Sequence, residues 1–328
     1  MASLMTLPRE LRDQICKEVI LSPLTEPPEL GLSFDAILDG RRSYQEPKTA
    51  AWSSPYAVRY QPSAIVASVT PLLLVNHQLY AETMDNLRTM PQTRTCDLDL
   101  IVLDEMFLCP TWIRVPVLTN NVDRVNVKFR IAGFLHQDHS GHEEREISRY
   151  SGFRGGFDAV PTVMAWQIYD VLDRFLTVGP VGARTNAEAD RSVVLKTLDI
   201  DIQTPPNVEE ERFSEPGWGQ EEVPGFYVLD PNYLARFVYT QVEGMMGMHA
   251  DSPDCGKIFY EFMNEVVVSK DGQVVGVFDV ASYLQGLEYS VGLSISTPSG
   301  KTKAVFDEWK KNTIKKRRER GLKVLAEA

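Results

Sequence analysis

Segments with an alternating apolar and polar pattern constrain the fold of this chain most strongly. Residues 96–103 read CDLDLIVL, and residues 122–133 read VDRVNVKFRIAG. Successive side chains of a strand point to opposite faces, so this alternation predicts two strands that each bury one face. Residues 192–203 predict another strand, and residues 161–179 carry a helical apolar stripe. The order from 122 to 203 is therefore that of a strand–helix–strand crossover unit.

The remaining patterned segments predict further helices and strands. Asp271-Gly272 separates two β-branched runs, which is the strongest short hairpin signal in the chain. Asp230 and Pro231 open a helix, with the aspartate as its cap. The other predicted elements are a helix over 70–88, the helix over 229–246, a short helix over 281–287, a strand over 289–296 and a charged helix from about residue 301.

Taken together, these elements predict an α+β fold in three parts. Residues 1–90 form a helical segment with a long inserted loop, which is rich in Pro, Ser and Gly. Residues 91–300 form a mixed α/β domain that includes the β-hairpin. Residues 301–328 form a basic C-terminal helix. Strands and helices are interleaved without strict alternation, which favours a mixed α+β domain behind a helical N-terminal segment.

The composition bounds the class of protein. The chain of 328 residues is 43% apolar and 24% charged, as in a globular protein. No apolar run approaches the roughly 20 residues needed to span a bilayer. The N-terminus lacks the pattern of a secretory signal, so we expect a cytoplasmic or nuclear protein without membrane contact. The cysteines are scattered without a CxxC pair, which predicts reduced, buried thiols.

The charge is unevenly distributed along the chain. The formal net charge is −11, but residues 301–328 carry ten Lys or Arg and four Asp or Glu. That tail is therefore net +6, which leaves −17 on residues 1–300. An acidic body argues against nucleic-acid binding, because phosphates require a basic face. The tail is either a nuclear-import signal, a contact for an acidic partner or the solvated face of a terminal helix. Its candidate residues are Lys315, Lys316, Arg317, Arg318 and Arg320.

No motif in the sequence predicts a reaction. His136, His139 and His142 lie in LHQDHSGHEERE, but their spacing and the adjacent Ser140-Gly141 favour an exposed polar loop over a metal site. A GxSxG nucleophile motif is absent from the sequence. We therefore predict no catalytic residue, no metal and no cofactor. An enzyme of unrecognised type, with its site in the α+β domain, remains the alternative.

The first helix carries the main functional candidate. Residues 4–20 read LMTLPRELRDQICKEVI, with Pro8 in the first turn. Leu7, Leu11, Ile15 and Val19 form one apolar stripe, which Cys16 and Ile20 widen, and this is the spacing of a helix that buries one face. The stripe either packs into the core of this protein or docks on a partner.

Two segments together resemble a known family. LPRELRDQI (7–15) and the later PLLLVNHQLYAET (71–83) are similar to a pair found in a poorly characterised group of fungal F-box-like proteins. The resemblance implies a non-enzymatic protein whose helix docks on the Skp-type adaptor of a ubiquitin ligase, while the remaining domain presents a protein substrate. Helix-in-groove docking uses apolar anchors on one stripe. The implied partner-binding residues are Leu7, Pro8, Leu11, Ile15 and Val19.

Overall fold

A computed structural model describes most of the chain. The described residues are 4–30, 34–43, 58–62, 65–133, 152–153, 162–180, 192–216, 228–247, 256–289 and 303–325. The helices are α1 (Arg9–Leu21), α2 (Phe34–Leu38), α3 (Thr70–Leu73), α4 (His77–Thr89), α5 (Val163–Val178), α6 (Pro231–Met246), α7 (Lys257–Phe262), α8 (Val280–Gly286) and α9 (Lys303–Glu319). The strands are β1 (Thr95–Leu103), β2 (Phe107–Arg114), β3 (Asn121–Ala132), β4 (Val194–Ile202), β5 (Phe213–Ser214), β6 (Val228–Leu229), β7 (Met263–Lys270) and β8 (Gln273–Asp279).

A six-stranded mixed sheet organises the fold, in the order β2-β1-β3-β4-β7-β8. Neighbours among β1, β3, β4 and β7 are parallel, whereas β2 and β8 are antiparallel edge strands. The parallel pairing of β3 with β4 across α5 confirms the predicted crossover unit. The β7–β8 hairpin turns at Asp271-Gly272, as predicted. Helices together with a mixed sheet agree with the predicted α+β class.

One face of the sheet carries the main core. The apolar members of the predicted alternation in β1, β3 and β4 all point into it, so the period-two pattern indicated the correct face. Helices α5, α6 and α7 cover this face. Trp112 of β2, for example, lies with its ring 5.2 Å from that of Phe175 on α5. Core side chains of the strands include Leu98, Leu100, Val127, Phe129, Leu198 and Val266.

The opposite face of the sheet combines polar contacts with a small buried apolar cluster, which consists of Ile37, Ile101, Leu103, Cys109 and Ala132. Asp97 of β1 accepts a hydrogen bond from Asn126 of β3 at 2.8 Å. Arg130 binds the buried Asp99 at 2.6 Å and also donates to the carbonyl of Pro28 at 2.8 Å. Parallel sheets are ordinarily covered on both faces. Residues near Pro28 therefore provide part of the cover over β1 and β3.

The N-terminal part differs from the predicted helix over 70–88. The structure has a short α3 and a separate α4, and the Asn76 side chain caps α4 by accepting the N–H of Leu79 at 2.9 Å. Leu72 and Leu79 are buried, whereas Val75 is 61% exposed. The break follows from Asn76, because a side chain that caps a new helix start ends the preceding turn.

The thiols behave as predicted where the structure describes them. Cys16, Cys96 and Cys109 are free and buried. Burial raises the pKa of Cys96 and of Cys109 to about 12, so these thiols stay neutral. Within the described ranges, no helix has both the length and the apolar character needed to cross a bilayer.

Some sequence predictions fall on residues that the structure does not describe. His136, His139 and His142 lie there, as does the predicted strand over 289–296 except for its first residue. Among the residues that are described, no three His, Cys, Asp or Glu side chains are grouped to hold a metal ion.

Candidate functional site

Helix α1 packs against α4 through the flank of its apolar face that Cys16 and Ile20 widen, together with Arg12. Its buried side chains are Arg12, Cys16 and Ile20. Cys16 and Ile20 belong to a small apolar cluster with Leu72 and Leu79. The apolar stripe predicted from residue spacing is therefore not the centre of the buried face.

An ion pair between Arg12 and Glu82 joins the two helices. Arg12 Nε donates to Glu82 Oε2 at 2.9 Å, and Nη2 donates to Oε1. Each side chain is only 8% exposed. Gln78 donates to the same carboxylate at 3.1 Å, and Arg12 also donates to the carbonyl of Leu7. A forked guanidinium–carboxylate contact fixes orientation as well as distance, so it sets the rotation of α1 about its axis.

This contact strongly perturbs the titration of Glu82. The hydrogen bonds from Arg12, together with the one from Gln78, lower the pKa of the Glu82 carboxyl to about 2. Desolvation alone would raise this pKa, but the hydrogen bonds and the positive charge of Arg12 favour the ionised carboxylate more strongly. The carboxylate therefore stays charged at any physiological pH.

Weaker polar contacts border the pair. Arg9 lies 3.0 Å from Asp85, and both side chains are more than half exposed. Asn86 donates to Asp13 at 3.0 Å. Exposed ion pairs stabilise little, so the Arg12–Glu82 pair and the apolar cluster carry the helix packing.

The apolar stripe of α1, next to this buried face, is partly exposed. Leu11 is 45% exposed and Ile15 is 39% exposed. Pro8 is exposed as well, whereas Leu7 and Val19 are half-buried, and Val19 packs against the apolar cluster. Of the five predicted partner-binding residues, Leu11, Ile15 and Val19 lie on α1, whereas Leu7 and Pro8 directly precede it. Only Pro8, Leu11 and Ile15 are exposed.

The second segment of the resemblance also exposes apolar side chains. Leu74 and Val75, in the break between α3 and α4, are 79% and 61% exposed, and Tyr80 is 47% exposed. Sequence reasoning missed these residues, because it assigned the whole segment to one continuous helix. Exposed apolar side chains that recur on neighbouring elements are more informative than a single exposed leucine.

The basic tail is partly internal. Arg317 is fully buried and donates to the carbonyls of Tyr260 and Met263 at 2.6 and 2.8 Å. Desolvation lowers its pKa to about 10. Lys316 lies 2.8 Å from the carboxylate of Glu261. Helix α9 is therefore bound to α7 through its basic residues.

The other candidate residues of the tail differ in exposure. Arg320 stacks over Phe262 at 4.0 Å and donates to the carbonyl of Glu261. Lys315 is 75% exposed, and Arg318 is exposed. Among the described contacts of these five residues, Lys315 pairs only with Glu319 of the same helix, at 3.9 Å, and Arg318 has no ion pair to another element.

Two carboxyl groups have the raised pKa that an active site can use, namely the buried Asp99, which Arg130 binds, and Asp170. Burial, with the negative charge of Asp173 beside it, raises the pKa of Asp170 on α5 to about 6. A perturbed carboxyl is a functional-site candidate only when it converges with other reactive groups. Asp173 lies on the same helix, one turn further on, and the described residues add no metal-ligating cluster. These two positions therefore do not define a reaction.

The fold and this surface define an α+β protein with an open apolar stripe on its first helix. Comparison of the chain with protein-family models, with curated proteins and with solved structures gives no match. The assignment of a function therefore rests on the exposed surfaces of the molecule.

Proposed function

We propose that this chain is a non-enzymatic interaction protein that docks on a Skp-type ubiquitin-ligase adaptor through α1 and presents a protein substrate. The observation that supports the proposal most is the exposure of Leu11 and Ile15. If these side chains were buried in the core of this protein, they could not contact an adaptor.

The spacing of the exposed residues suits a helix in a groove. Leu11 and Ile15 are one helical turn apart, so their side chains lie on one face. An amphipathic helix that docks in a groove uses apolar anchors at such positions. Pro8 extends this face at the start of the helix, and the half-buried Leu7 and Val19 flank it.

The buried face of α1 holds the exposed one in place. Arg12 and Glu82 lock the helix against α4 while Leu11 and Ile15 point outward. A recognition element that is already ordered loses less conformational entropy on binding. The same ion pair that removes Arg12 from the surface therefore favours docking by the stripe.

Binding of the full chain to a purified Skp-type adaptor tests the proposal. The test variant carries Leu11→Asp and Ile15→Asp, which place two charges on exposed positions. We expect adaptor binding to fall at least tenfold, because apolar anchors at the centre of an interface dominate affinity. A matched control is Val163→Asp at the start of α5, since Val163 is 38% exposed and lies on another element. The control should bind as the unchanged chain does.

Two results would overturn the docking role. One is a folded, unchanged chain that does not bind the adaptor. The other is binding that persists at full strength in a double variant whose thermal unfolding shows that it is folded. A circular-dichroism melt of each variant separates loss of binding from loss of folding.

A further inference from the structure

A cavity of about 520 Å³ lies between the N-terminal part of the chain and the edge of the sheet. Its walls come from residues 24–28, from α2, from residues 61–66 and from Thr111 of β2. Small-molecule sites in proteins usually occupy about 300–1,000 Å³, so this cavity is large enough for a ligand. The proposed adaptor contact on α1 does not use it.

Hydrogen bonds of the backbone hold the walls of the cavity in place. The N–H of Leu24 donates to the carbonyl of Ile113 on β2 at 2.7 Å, and Arg42 and Tyr60 exchange two bonds of 3.0 Å. The walls are therefore joined to the sheet and to each other before any ligand arrives. A site that is already formed loses less conformational entropy on binding.

Aliphatic side chains make up much of the lining. They are Leu24, Pro28, Ile37, Pro62, Ile65 and Val66. Ile37 is 3% exposed, whereas Val66 is 54% exposed, so the apolar lining extends from the interior to the surface. Such a wall can cover the apolar part of a ligand, and the gain is roughly proportional to the apolar area removed from water.

Arg41 supplies a positive charge to the lining. Its guanidinium donates to the carbonyls of Ile37, Arg59 and Pro110 at 2.9, 3.1 and 3.0 Å, and to Thr111 Oγ1 at 2.6 Å. These bonds use four of its five N–H groups, and every acceptor is neutral. Desolvation lowers the pKa of Arg41. A desolvated guanidinium that is held by neutral acceptors favours an anion beside it.

The described part of the chain supplies no carboxylate that pairs with Arg41. The charge of Asp99 acts on Arg41, but Arg130 already binds Asp99. Gln61 adds a donor to the lining, because its Oε1 accepts the N–H of Trp112 at 3.0 Å and its amide N–H groups are left to donate. The lining therefore offers a positive charge and hydrogen-bond donors to a carboxylate.

Two carboxylates line the exposed side of the cavity. Glu26 and Asp39 both belong to the lining and are exposed, and neither forms an ion pair among the described residues. With Arg41 they give the cavity one positive and two negative charges. A ligand with a carboxylate for Arg41 and an ammonium group for Glu26 or Asp39 matches both signs. An anion without an ammonium group meets repulsion at the same carboxylates.

We propose that this cavity binds a free amino acid with an apolar side chain. Its carboxylate lies against Arg41 and the amide of Gln61, its ammonium group lies towards Glu26 or Asp39, and its side chain packs on the aliphatic wall. The contact with the half-buried Arg41 contributes most, since ion pairs with exposed carboxylates stabilise little. The proposal depends neither on α1 nor on the adaptor.

Isothermal titration calorimetry of the full chain with phenylalanine tests this proposal. Three matched probes each lack one group: 3-phenylpropionate lacks the ammonium group, phenethylamine lacks the carboxylate and glycine lacks the apolar side chain. We expect saturable binding of phenylalanine at a single site. Affinity should be at least about tenfold lower for phenethylamine and glycine, and about threefold lower for 3-phenylpropionate. The last difference should shrink as salt is raised.

The variant Gln61→Glu tests where the carboxylate lies. The new side chain still has an oxygen to accept the N–H of Trp112, but it places a negative charge in the cavity. We expect phenylalanine to bind at least about tenfold more weakly and phenethylamine to bind more tightly. Gln92→Glu is the matched control, because Gln92 is exposed in the short turn before β1 and does not line the cavity. Thermal melts show that both variants are folded.

Neutralising the exposed carboxylates tests where the ammonium group lies. In a chain with Glu26→Gln and Asp39→Asn, affinity for phenylalanine should fall about threefold, whereas affinity for 3-phenylpropionate should rise. The signs differ because the same two charges attract an ammonium group and repel a carboxylate. Asp85→Asn on α4 is the control, since Asp85 is 54% exposed and lies outside the lining.

Several results would overturn the proposal. Absence of saturable phenylalanine binding by the folded, unchanged chain removes the site. Unchanged binding in a folded Gln61→Glu variant places the amino acid elsewhere. Tighter binding of 3-phenylpropionate than of phenylalanine means that the cavity takes simple carboxylates instead of amino acids. Equal affinity for glycine and phenylalanine means that the aliphatic wall has no part in binding.

Discussion

Arg12 of α1 and Glu82 of α4 form a buried ion pair 70 residues apart in the chain, with the guanidinium 2.9 Å from the carboxylate. Each charge depends on the other, because neither side chain is accessible enough to be solvated. The pair therefore stabilises the α1–α4 contact only as long as both partners are charged.

Removal of the Glu82 charge should loosen this contact. In Glu82→Gln, the Arg12 guanidinium stays buried without its counter-charge, and breaking one side of such a pair is strongly destabilising. We expect a clearly lower urea midpoint. Asp85→Asn is the matched control on the same helix, since Asp85 is 54% exposed and should change the midpoint little. Equal midpoints for the two variants would contradict the structural role of the pair.

The same pair predicts an acid-dependent loss of stability. The pKa of Glu82 is lowered from 4.5 to about 2 in the folded chain. Its contribution is therefore fully present above about pH 4.5 and is lost as the pH falls towards 2. Urea unfolding at a series of pH values should show this slope in the unchanged chain and a smaller slope in Glu82→Gln. A variant curve with the original slope would mean that another carboxyl causes it.

Asp170 should show the opposite dependence. Burial and the charge of Asp173 raise its pKa from 3.8 to about 6, so the folded state favours the protonated form. Its contribution is present below about pH 3.8 and is lost as the pH rises through 6. Asp170→Asn should consequently raise the free energy of unfolding at pH 7 and flatten this part of the pH profile. A destabilised Asp170→Asn variant at pH 7 would indicate that the ionised carboxylate makes a stabilising contact in the folded chain.

The sequence could predict only those strands of the sheet in which apolar and polar residues alternate clearly. The strands from 96, 122 and 192 were predictable because alternation reports burial on one face directly. Strand β2 was missed because Pro110 interrupts FLCPTWIR, and a proline argues against a central strand. The structure resolves this conflict by placing β2 at the edge of the sheet, where only one side forms a ladder.

The exposed surface of α1 was harder to predict, because it depends on a contact between residues that are far apart in the sequence. Residue spacing identified the apolar face of α1, including Cys16 and Ile20, but not that its buried centre lies at Arg12, Cys16 and Ile20 while Leu11 and Ile15 are exposed. Arg12 occupies the buried face because Glu82 neutralises it, and no local pattern links two residues so far apart. The exposure of Leu74 and Val75 likewise follows from the cap at Asn76 and not from the apolar run.

Two glycines should respond oppositely to the same substitution. Gly276→Ala would place a Cβ 2.3 Å from the Tyr239 ring, so we expect a loss of about 1–3 kcal/mol from overpacking. Gly244 lies inside α6 with nothing within 4 Å of its added Cβ, so Gly244→Ala should stabilise by roughly 0.5–1 kcal/mol. Urea unfolding measures both. Stabilisation by Gly276→Ala would show that Tyr239 does not pack on β8 as described.

Substitutions of Arg317 and Arg318 can distinguish the structural role of the basic tail from its predicted role in nuclear import. Arg317→Leu would leave the buried carbonyls of Tyr260 and Met263 without a donor, at roughly 1–3 kcal/mol each. We therefore expect a marked fall in unfolding free energy. Arg318→Leu alters an exposed side chain and should stay within about 0.5 kcal/mol.

A test of nuclear import must consequently spare Arg317, since its loss would perturb α9 as a whole. Lys315→Gln with Arg318→Gln removes the two candidate charges that do not contact α7 and leaves the contacts of Lys316, Arg317 and Arg320 to α7 intact. If the tail acts as an import signal, this double variant should shift the protein towards the cytoplasm while its melting temperature is unchanged. An unaltered distribution would assign the basic residues to the packing of α9 on α7 alone.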